Sequence, residues 1–198
     1  MKNYKKIGLN ITKLITSTFL TGILAMCTIS CEKTETIEGD LLESSSNSER
    51  VQQQNNLSGE FYIQSESSGQ YLSTNGSNVV TRDGVKTRWN FVKDGTRSSS
   101  NQQVYKIIRT TGQQVVLDVE GRSTRNGANV HAFKNQSSND NNQRWFVHLQ
   151  VESGGYIISS ENGGKALDRN TTGTADNRNV HMWNYGGNSN QRWKLIRP

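Results

Sequence analysis

The chain has 198 residues, a net charge of +6 at pH 7 and 31% hydrophobic residues, with a single proline. Its two cysteines, Cys27 and Cys31, both lie near the amino terminus. A fold held by several disulfides is therefore excluded, and no cysteine after Cys31 is present to act as a nucleophile or to ligate zinc.

The first 30 residues have the pattern of a secretory signal. Lys2, Lys5 and Lys6 give a positive start, and Lys13 borders an apolar run over residues 14–26, which is too short to span a bilayer comfortably. Ser30 then precedes Cys31 in a segment that resembles a bacterial lipobox, where the signal is cleaved before a cysteine that carries lipid. We expect a lipoprotein signal peptide over 1–30 and lipidation of Cys31. The alternative is ordinary cleavage near Ser30, which would leave a free thiol.

Residues 31–56 form an acidic, polar segment. They carry six acidic residues against Lys33 and Arg50, and they are rich in Ser, Gln and Asn. A segment with so little to bury is expected to be a flexible linker. Acidic residues just after a lipid-bearing cysteine also resemble the surface-export signals of some Gram-negative bacteria. We therefore expect the protein at the bacterial cell envelope, anchored by its lipid in the outer membrane, with surface display left open.

Residues 57–198 carry the net positive charge and are expected to form one all-β domain. No helix-length stretch has apolar residues at a spacing of 3.6. Short apolar or alternating runs, bounded by Gly, Asn, Ser or Asp, predict strands instead. In chain order the predicted strands are 60–65, 89–93, 104–109, 114–119, 144–149, 155–160 and 192–196. Many short strands separated by turns favour a barrel or a sandwich.

Three internal repeats organise this domain, over residues 61–92, 105–147 and 156–195. Each unit begins with an aromatic-aliphatic strand, passes through a glycine turn to an apolar pair, and closes with a tryptophan. The closing tryptophans Trp89, Trp145 and Trp193 are 56 and 48 residues apart. Because one such unit cannot bury its apolar face alone, the repeats predict a pseudo-threefold barrel with a shared core.

Each closing tryptophan ends a Gln-x-Trp motif or a variant of it. Two copies match the motif fully and the first lacks the Gln: Gln143-Arg144-Trp145, Gln191-Arg192-Trp193 and Thr87-Arg88-Trp89. Over 57–198 the sequence resembles the ricin B-chain-type β-trefoil lectins. The resemblance implies a β-trefoil in which the three tryptophans lie in the core and the two Gln side chains tie neighbouring backbone.

In these lectins each unit can carry one shallow sugar site. The family pattern is an Asp after the apolar pair, a polar residue 13 positions on, an aromatic 15 positions on, and an Asn before the Gln. The second unit supplies Asp118, His131, Phe133 and Asn142, and the third supplies Asp168, His181, Trp183 and Asn190. A flat ring covers the apolar face of a pyranose, while carboxylate and amide groups bind its hydroxyls. The resemblance implies two carbohydrate sites, and the larger ring of Trp183 favours the third-unit site.

The first unit departs from this pattern. Ser73 stands where the Asp is expected, and only 16 residues separate Ser73 from Trp89. The corresponding spacings are 27 residues in the second unit and 25 in the third. The site-bearing loop and its aromatic are thus missing, and we expect the first unit to be structural.

Simpler interpretations exist for several of these residues. Asp118 and Asp168 could merely shape turns, which Asp favours. His131 and His181 could be solvent-exposed strand residues, and two His 50 residues apart without a nearby Cys make a poor metal site. We therefore expect neither a metal nor a cofactor.

The sequence predicts a binding protein rather than an enzyme, since it has no nucleophile elbow and no carboxylate pair marked for acid–base catalysis. We expect a lipid-anchored, monomeric glycan-binding protein, and the resemblance implies galactose-type or xylan-like ligands. The alternative is a protein-interaction or protease-inhibitor-like trefoil at the cell envelope.

A third possibility is that basic side chains bind acidic glycans or nucleic acid. The candidates are Arg82, Lys86, Arg88, Arg122, Arg125 and Arg178. Scattered basic residues without interleaved aromatics are typical of a solvated surface, so we expect no nucleic-acid partner.

Overall fold

The computed structural model describes residues 57–198, apart from 98, 139, 151 and 172–175. The expected signal peptide over 1–30, the linker over 31–56 and the lipidation of Cys31 lie outside the described residues. Among the described residues, none belongs to a helix long and apolar enough to cross a membrane.

Twelve strands in the described residues fall into three groups of four. They are β1 (Gly59–Ser65), β2 (Tyr71–Asn75), β3 (Asn78–Arg82) and β4 (Arg88–Arg97); β5 (Gln102–Arg109), β6 (Val116–Val119), β7 (Ala128–Phe133) and β8 (Trp145–Leu149); β9 (Tyr156–Ser160), β10 (Ala166–Arg169), β11 (Arg178–Trp183) and β12 (Trp193–Ile196). Three 3-10 turns accompany them, at Glu120–Arg122, Asn141–Gln143 and Ser189–Gln191. Every predicted strand overlaps an observed one. The sequence does not predict the other five strands, β2, β3, β7, β10 and β11, which are only four to six residues long.

The first and last strands of the three groups close into a barrel. Within each group they pair with one another, as β1–β4, β5–β8 and β9–β12, and between groups they pair as β4–β5, β8–β9 and β12–β1. The three middle hairpins, β2–β3, β6–β7 and β10–β11, meet one another through β3, β7 and β11. Closure leaves the barrel without free edges. The predicted all-β, β-trefoil fold is confirmed.

The three closing tryptophans fill equivalent places in the core. Trp89, Trp145 and Trp193 are each 0% exposed. Their indole Nε1 atoms donate to the carbonyls of Leu72, Leu117 and Leu167 at 3.1, 3.0 and 3.0 Å. Each bond joins the last strand of a unit to the apolar pair of its second strand, so every unit is closed by the same ring and the same hydrogen bond.

Where the three hairpins meet, three asparagines form a ring. Asn129 Nδ2 donates to Asn78 Oδ1 at 3.0 Å, and Asn78 Nδ2 donates to Asn179 Oδ1 at 2.8 Å. Asn179 Nδ2 closes the ring on Asn129 Oδ1 at 3.2 Å. Since β3, β7 and β11 contribute one amide each, the ring links all three units directly.

The middle residue of the Gln-x-Trp motif links neighbouring units. Arg144 Nη1 lies 3.0 Å from Oε2 of Glu161, which follows the first strand of the next unit. Arg192 Nε lies 2.7 Å from Oε2 of Glu66, which follows β1. In both cases the acidic residue also donates its backbone N–H to the arginine carbonyl, at 2.9 and 3.0 Å. The repeated arginine is therefore an inter-unit contact.

Candidate functional site

The third unit gathers its predicted polar residues around one carboxylate. Asp168 lies on β10 directly opposite His181 of β11 and is 5% exposed. Its Oδ1 accepts a hydrogen bond from Asn190 Nδ2 at 2.8 Å and lies 3.2 Å from His181 Nε2. Its Oδ2 accepts from Gln191 Nε2 at 2.8 Å. Three side chains are thus oriented by a single buried group.

The 3-10 turn Ser189–Gln191 brings the amides to this carboxylate. Gln191 Nε2 also donates to the carbonyl of Asn184 at 2.9 Å, and its Oε1 accepts from the Gly186 N–H at 2.7 Å. The same Gln side chain therefore fixes the loop after β11 as well as Asp168. The sequence predicted the contact with backbone but not the contact with the carboxylate.

Trp183 forms the open wall of this site. It is 42% exposed, while the other three tryptophans are fully buried. Its ring stacks on His181, with centroids 5.4 Å apart and planes inclined by 26°. The cleft beside it measures about 680 Å³, and its lining residues are Asp168, Asn170, Thr171, His181, Trp183, Asn188, Ser189, Asn190 and Gln191. We call it the third-unit cleft.

The second unit repeats the arrangement. Asp118, 2% exposed, lies opposite His131 in the β6–β7 pair. Its Oδ1 accepts from Asn142 Nδ2 at 2.9 Å and lies 3.0 Å from His131 Nε2, and its Oδ2 accepts from Gln143 Nε2 at 2.7 Å. Phe133, 37% exposed, stacks on His131 with centroids 5.1 Å apart and planes inclined by 7°.

The second-unit cleft is smaller, about 260 Å³. Its lining residues are Asp118, Gly121, Arg122, His131, Phe133, Gln136 and Asn142. Gln143 fixes the loop above it, because its Oε1 accepts from the Gln136 N–H at 2.8 Å and its Nε2 donates to the Lys134 carbonyl at 2.9 Å. Arg122 and Gln136 were not among the predicted site residues, since irregular loops give no spacing by which to place them.

A buried lysine holds the same loop from the other side. Lys106, 8% exposed, donates from Nζ to Asn135 Oδ1 and to the Gln136 carbonyl, both at 2.6 Å, and lies 2.7 Å from Asp140 Oδ2. Burial raises the pKa of Asp140, but the hydrogen bond and charge of Lys106, a backbone hydrogen bond and the charge of Arg144 outweigh it, and the pKa lies below its usual value.

The sequence predicts that the carboxylates of Asp118 and Asp168 bind sugar hydroxyls, but both carboxylates already contact side chains of the protein. In both clefts each Asp is nearly buried and already faces three side-chain nitrogens of the protein. A carboxylate has about four lone-pair positions, so little acceptor capacity remains for a ligand. Asp118 and Asp168 therefore act first as organisers of the amide and imidazole groups that border the clefts.

The first unit has no such arrangement. Ser73 occupies the position of the Asp and is 2% exposed. Its hydroxyl pairs with Thr87 Oγ1 at 2.9 Å, and β2 turns tightly into β3 through Asn75 and Asn78. The described residues also contain no cluster of three His, Cys, Asp or Glu side chains that could hold a metal ion.

Comparison with known proteins gives the family. Residues 141–198 match the model of the ricin-type beta-trefoil lectin domain-like family. The designed threefold-symmetric protein ThreeFoil is 30% identical, with a TM-score of 0.59, over 71% of this chain and 99% of its own. None of the curated proteins matches.

Two further solved structures share the fold. A ricin B-like lectin from Macrolepiota procera, solved with lactose, is 17% identical with a TM-score of 0.56, over 71% of this chain and 97% of its own. An exo-β-1,3-galactanase from Clostridium thermocellum is 24% identical with a TM-score of 0.59, over 70% of this chain but only 30% of its own. The family supports carbohydrate binding in general. The chain belongs to the ricin-type β-trefoil lectin-like family.

Proposed function

We propose that this protein is a lipid-anchored, non-catalytic glycan-binding protein with sites in its second- and third-unit clefts. The observation that carries the proposal is Trp183, an exposed ring beside a cleft of oriented amides and hydroxyls. A pyranose offers one apolar C–H face for such a ring and a rim of hydroxyls for such amides. Phe133 and Asn142 repeat the pairing in the second unit.

Galactose-containing glycans are the first ligands to consider. The Macrolepiota lectin was solved with lactose, and the Clostridium enzyme is a galactanase. Their low identity makes them evidence for fold alone, so the ligand stays part of the proposal, with xylan-like glycans as the second class. The chain spans under a third of the galactanase, and that enzyme's activity is not carried over.

Two shallow clefts on one rigid body suit a multivalent binder. Each cleft is open and offers one exposed aromatic, so we expect weak binding by either cleft alone. Two sites on a body displayed many times on a membrane gain through effective concentration. A branched or repetitive glycan should therefore bind much more tightly than its monosaccharide.

The lipid anchor is a separate part of the proposal and rests on Cys31. Cys31→Ser should release the full chain from the outer-membrane fraction and abolish incorporation of labelled fatty acid. Cys27→Ser is the matched control and should retain both properties. Unchanged membrane retention and labelling of the Cys31→Ser variant would refute the anchor without affecting the glycan sites.

A glycan array probed with the full chain tests the binding function. We expect a restricted set of glycans to be bound, with Trp183→Ala removing most of the signal. Tyr185→Ala is a matched control, since Tyr185, two residues after Trp183, is 45% exposed but does not line the cleft. A protein-interaction role would appear instead as capture of a protein that free sugar does not displace, together with an empty array.

A further inference from the structure

The two clefts differ in charge. The third-unit cleft is lined, apart from Asp168 and His181, by neutral amides, hydroxyls and Trp183. The second-unit cleft, in contrast, has Arg122 in its wall. Of these two clefts, the second-unit cleft is therefore the one with a guanidinium in its wall.

Arg122 is held at the cleft by its backbone and keeps its charge available. Its carbonyl accepts from Asn162 Nδ2 of the third unit at 2.8 Å. Its Nη2 donates to Gln136 Oε1 at 3.1 Å. Among the described residues, no carboxylate oxygen lies within 4.0 Å of this guanidinium, so Arg122 forms no ion pair with them. Its remaining N–H donors can therefore serve an anionic ligand.

Asn142 supplies an independent sign of a ligand in the same cleft. It is only 3% exposed, and its Nδ2 is committed to Asp118 Oδ1 and to the Val119 carbonyl, at 2.9 and 3.2 Å. These two acceptors fix the amide orientation, and its buried Oδ1 has no partner among the described residues. A buried acceptor without a donor is costly. Asn142 lines the cleft, and a ligand hydroxyl satisfies this closed-off atom when the wall around it opens slightly on binding.

We infer that the second-unit cleft binds a carboxylated sugar, a hexuronic acid residue, whereas the third-unit cleft takes a neutral one. A ring hydroxyl donates to Asn142 Oδ1, the C–H face packs on Phe133, and the carboxylate pairs with Arg122. The planar guanidinium matches a carboxylate in a two-bond contact. This inference rests on the proposed function and assigns the ligand class of one of its two sites.

The test is a titration of the isotope-labelled full chain with a matched pair of probes, methyl galactoside and methyl galacturonoside. Amide signals of Gly121 and Phe133 report the second-unit cleft, and the Trp183 indole signal reports the third. At low salt we expect the second-unit cleft to bind the acid about tenfold more tightly than the neutral sugar. Arg122→Gln should abolish that preference, while Arg125→Gln, an exposed arginine outside the cleft, should keep it.

The outcomes separate the inference from the proposed function. Equal affinities for the two probes at the second-unit cleft, or a preference that survives Arg122→Gln, would overturn the inference while leaving a two-site lectin intact. If neither probe, nor any glycan of the array, shifts the signals of either cleft, both the inference and the proposed function fail.

Discussion

Gln191 Nε2 donates to Asp168 Oδ2 at 2.8 Å, although Gln191 belongs to the same three-residue motif as the core residue Trp193. One short segment therefore builds the barrel and orients the candidate site at once. Asn190 contacts the same carboxylate, and Arg192 reaches the next unit. Each residue of Asn-Gln-Arg-Trp thus has its own contact, which accounts for the repetition of the whole sequence in the second unit.

Truncation of the two tryptophans of the third unit should change the stability of the fold by very different amounts. Trp193→Ala removes a fully buried ring and its bond to Leu167, so we expect the free energy of unfolding to fall by about 3–5 kcal/mol. Trp183→Ala alters an exposed ring, and a change within about 0.5 kcal/mol is expected. Denaturant unfolding measures both. A large loss for Trp183→Ala would mean that the ring is part of the fold.

The asparagine ring should couple the three units. Asn129→Ala removes two of the ring's three hydrogen bonds and also the bond from Asn129 Nδ2 to Glu120 Oε2 at 2.9 Å, and we expect about 1–2 kcal/mol of destabilisation. Because the ring is already broken by the first change, adding Asn179→Ala should cost less than the same change in the intact protein. A double-mutant cycle measures this coupling, and simple additivity would show that the amides act independently.

The inter-unit ion pairs are present at two of three boundaries. Thr110 occupies the third, where its N–H reaches the Arg88 carbonyl at 3.1 Å without a carboxylate. Thr110→Glu should supply the missing partner and raise the thermal midpoint slightly, although Arg88 already contacts Glu60 at 3.4 Å. Glu161→Gln should lower the thermal midpoint by a larger amount than Thr110→Glu raises it, because the Arg144–Glu161 pair is less exposed than Arg88. A higher midpoint for Glu161→Gln would contradict this role.

The Lys106–Asp140 pair should make the loop over the second-unit cleft sensitive to acid. Because the pKa of Asp140 is lowered in the folded protein, its carboxylate stabilises the fold at pH values above about 4, the pKa of an Asp in the unfolded chain. This stabilisation is lost as the pH falls through the pKa of Asp140 in the folded protein. Asp140→Asn should therefore be less stable at neutral pH and depend less steeply on pH below about 4. Acid titrations of unfolding for the two proteins provide the comparison.

The architecture was predictable because it repeats. Three tryptophans in phase, each after a Gly turn and an apolar pair, define closed β units even where individual strands are too short or too polar to detect, as for β3. The predicted site residues come together for the same reason: fixed spacing places His181 opposite Asp168 across one strand pair.

The finer chemistry of the clefts was not predictable. That Asp118 and Asp168 would each already accept hydrogen bonds from two amide side chains depends on the rotamers of residues far apart in sequence. Arg122 enters the second-unit cleft through a left-handed backbone at φ 56°, in an irregular turn that no periodicity marks. Contacts of this kind become visible only in the folded structure.

The central claim is that a glycan stacks on Trp183, and the indole N–H signals test it most directly. Trp89, Trp145 and Trp193 donate their indole protons to buried carbonyls, so a ligand should leave those three signals in place. In titrations of the full chain with lactose and with xylo-oligosaccharides, we predict a saturable shift of the Trp183 signal by at least one of them. Four unchanged indole signals with these sugars and with every glycan of an array would contradict carbohydrate binding at this cleft.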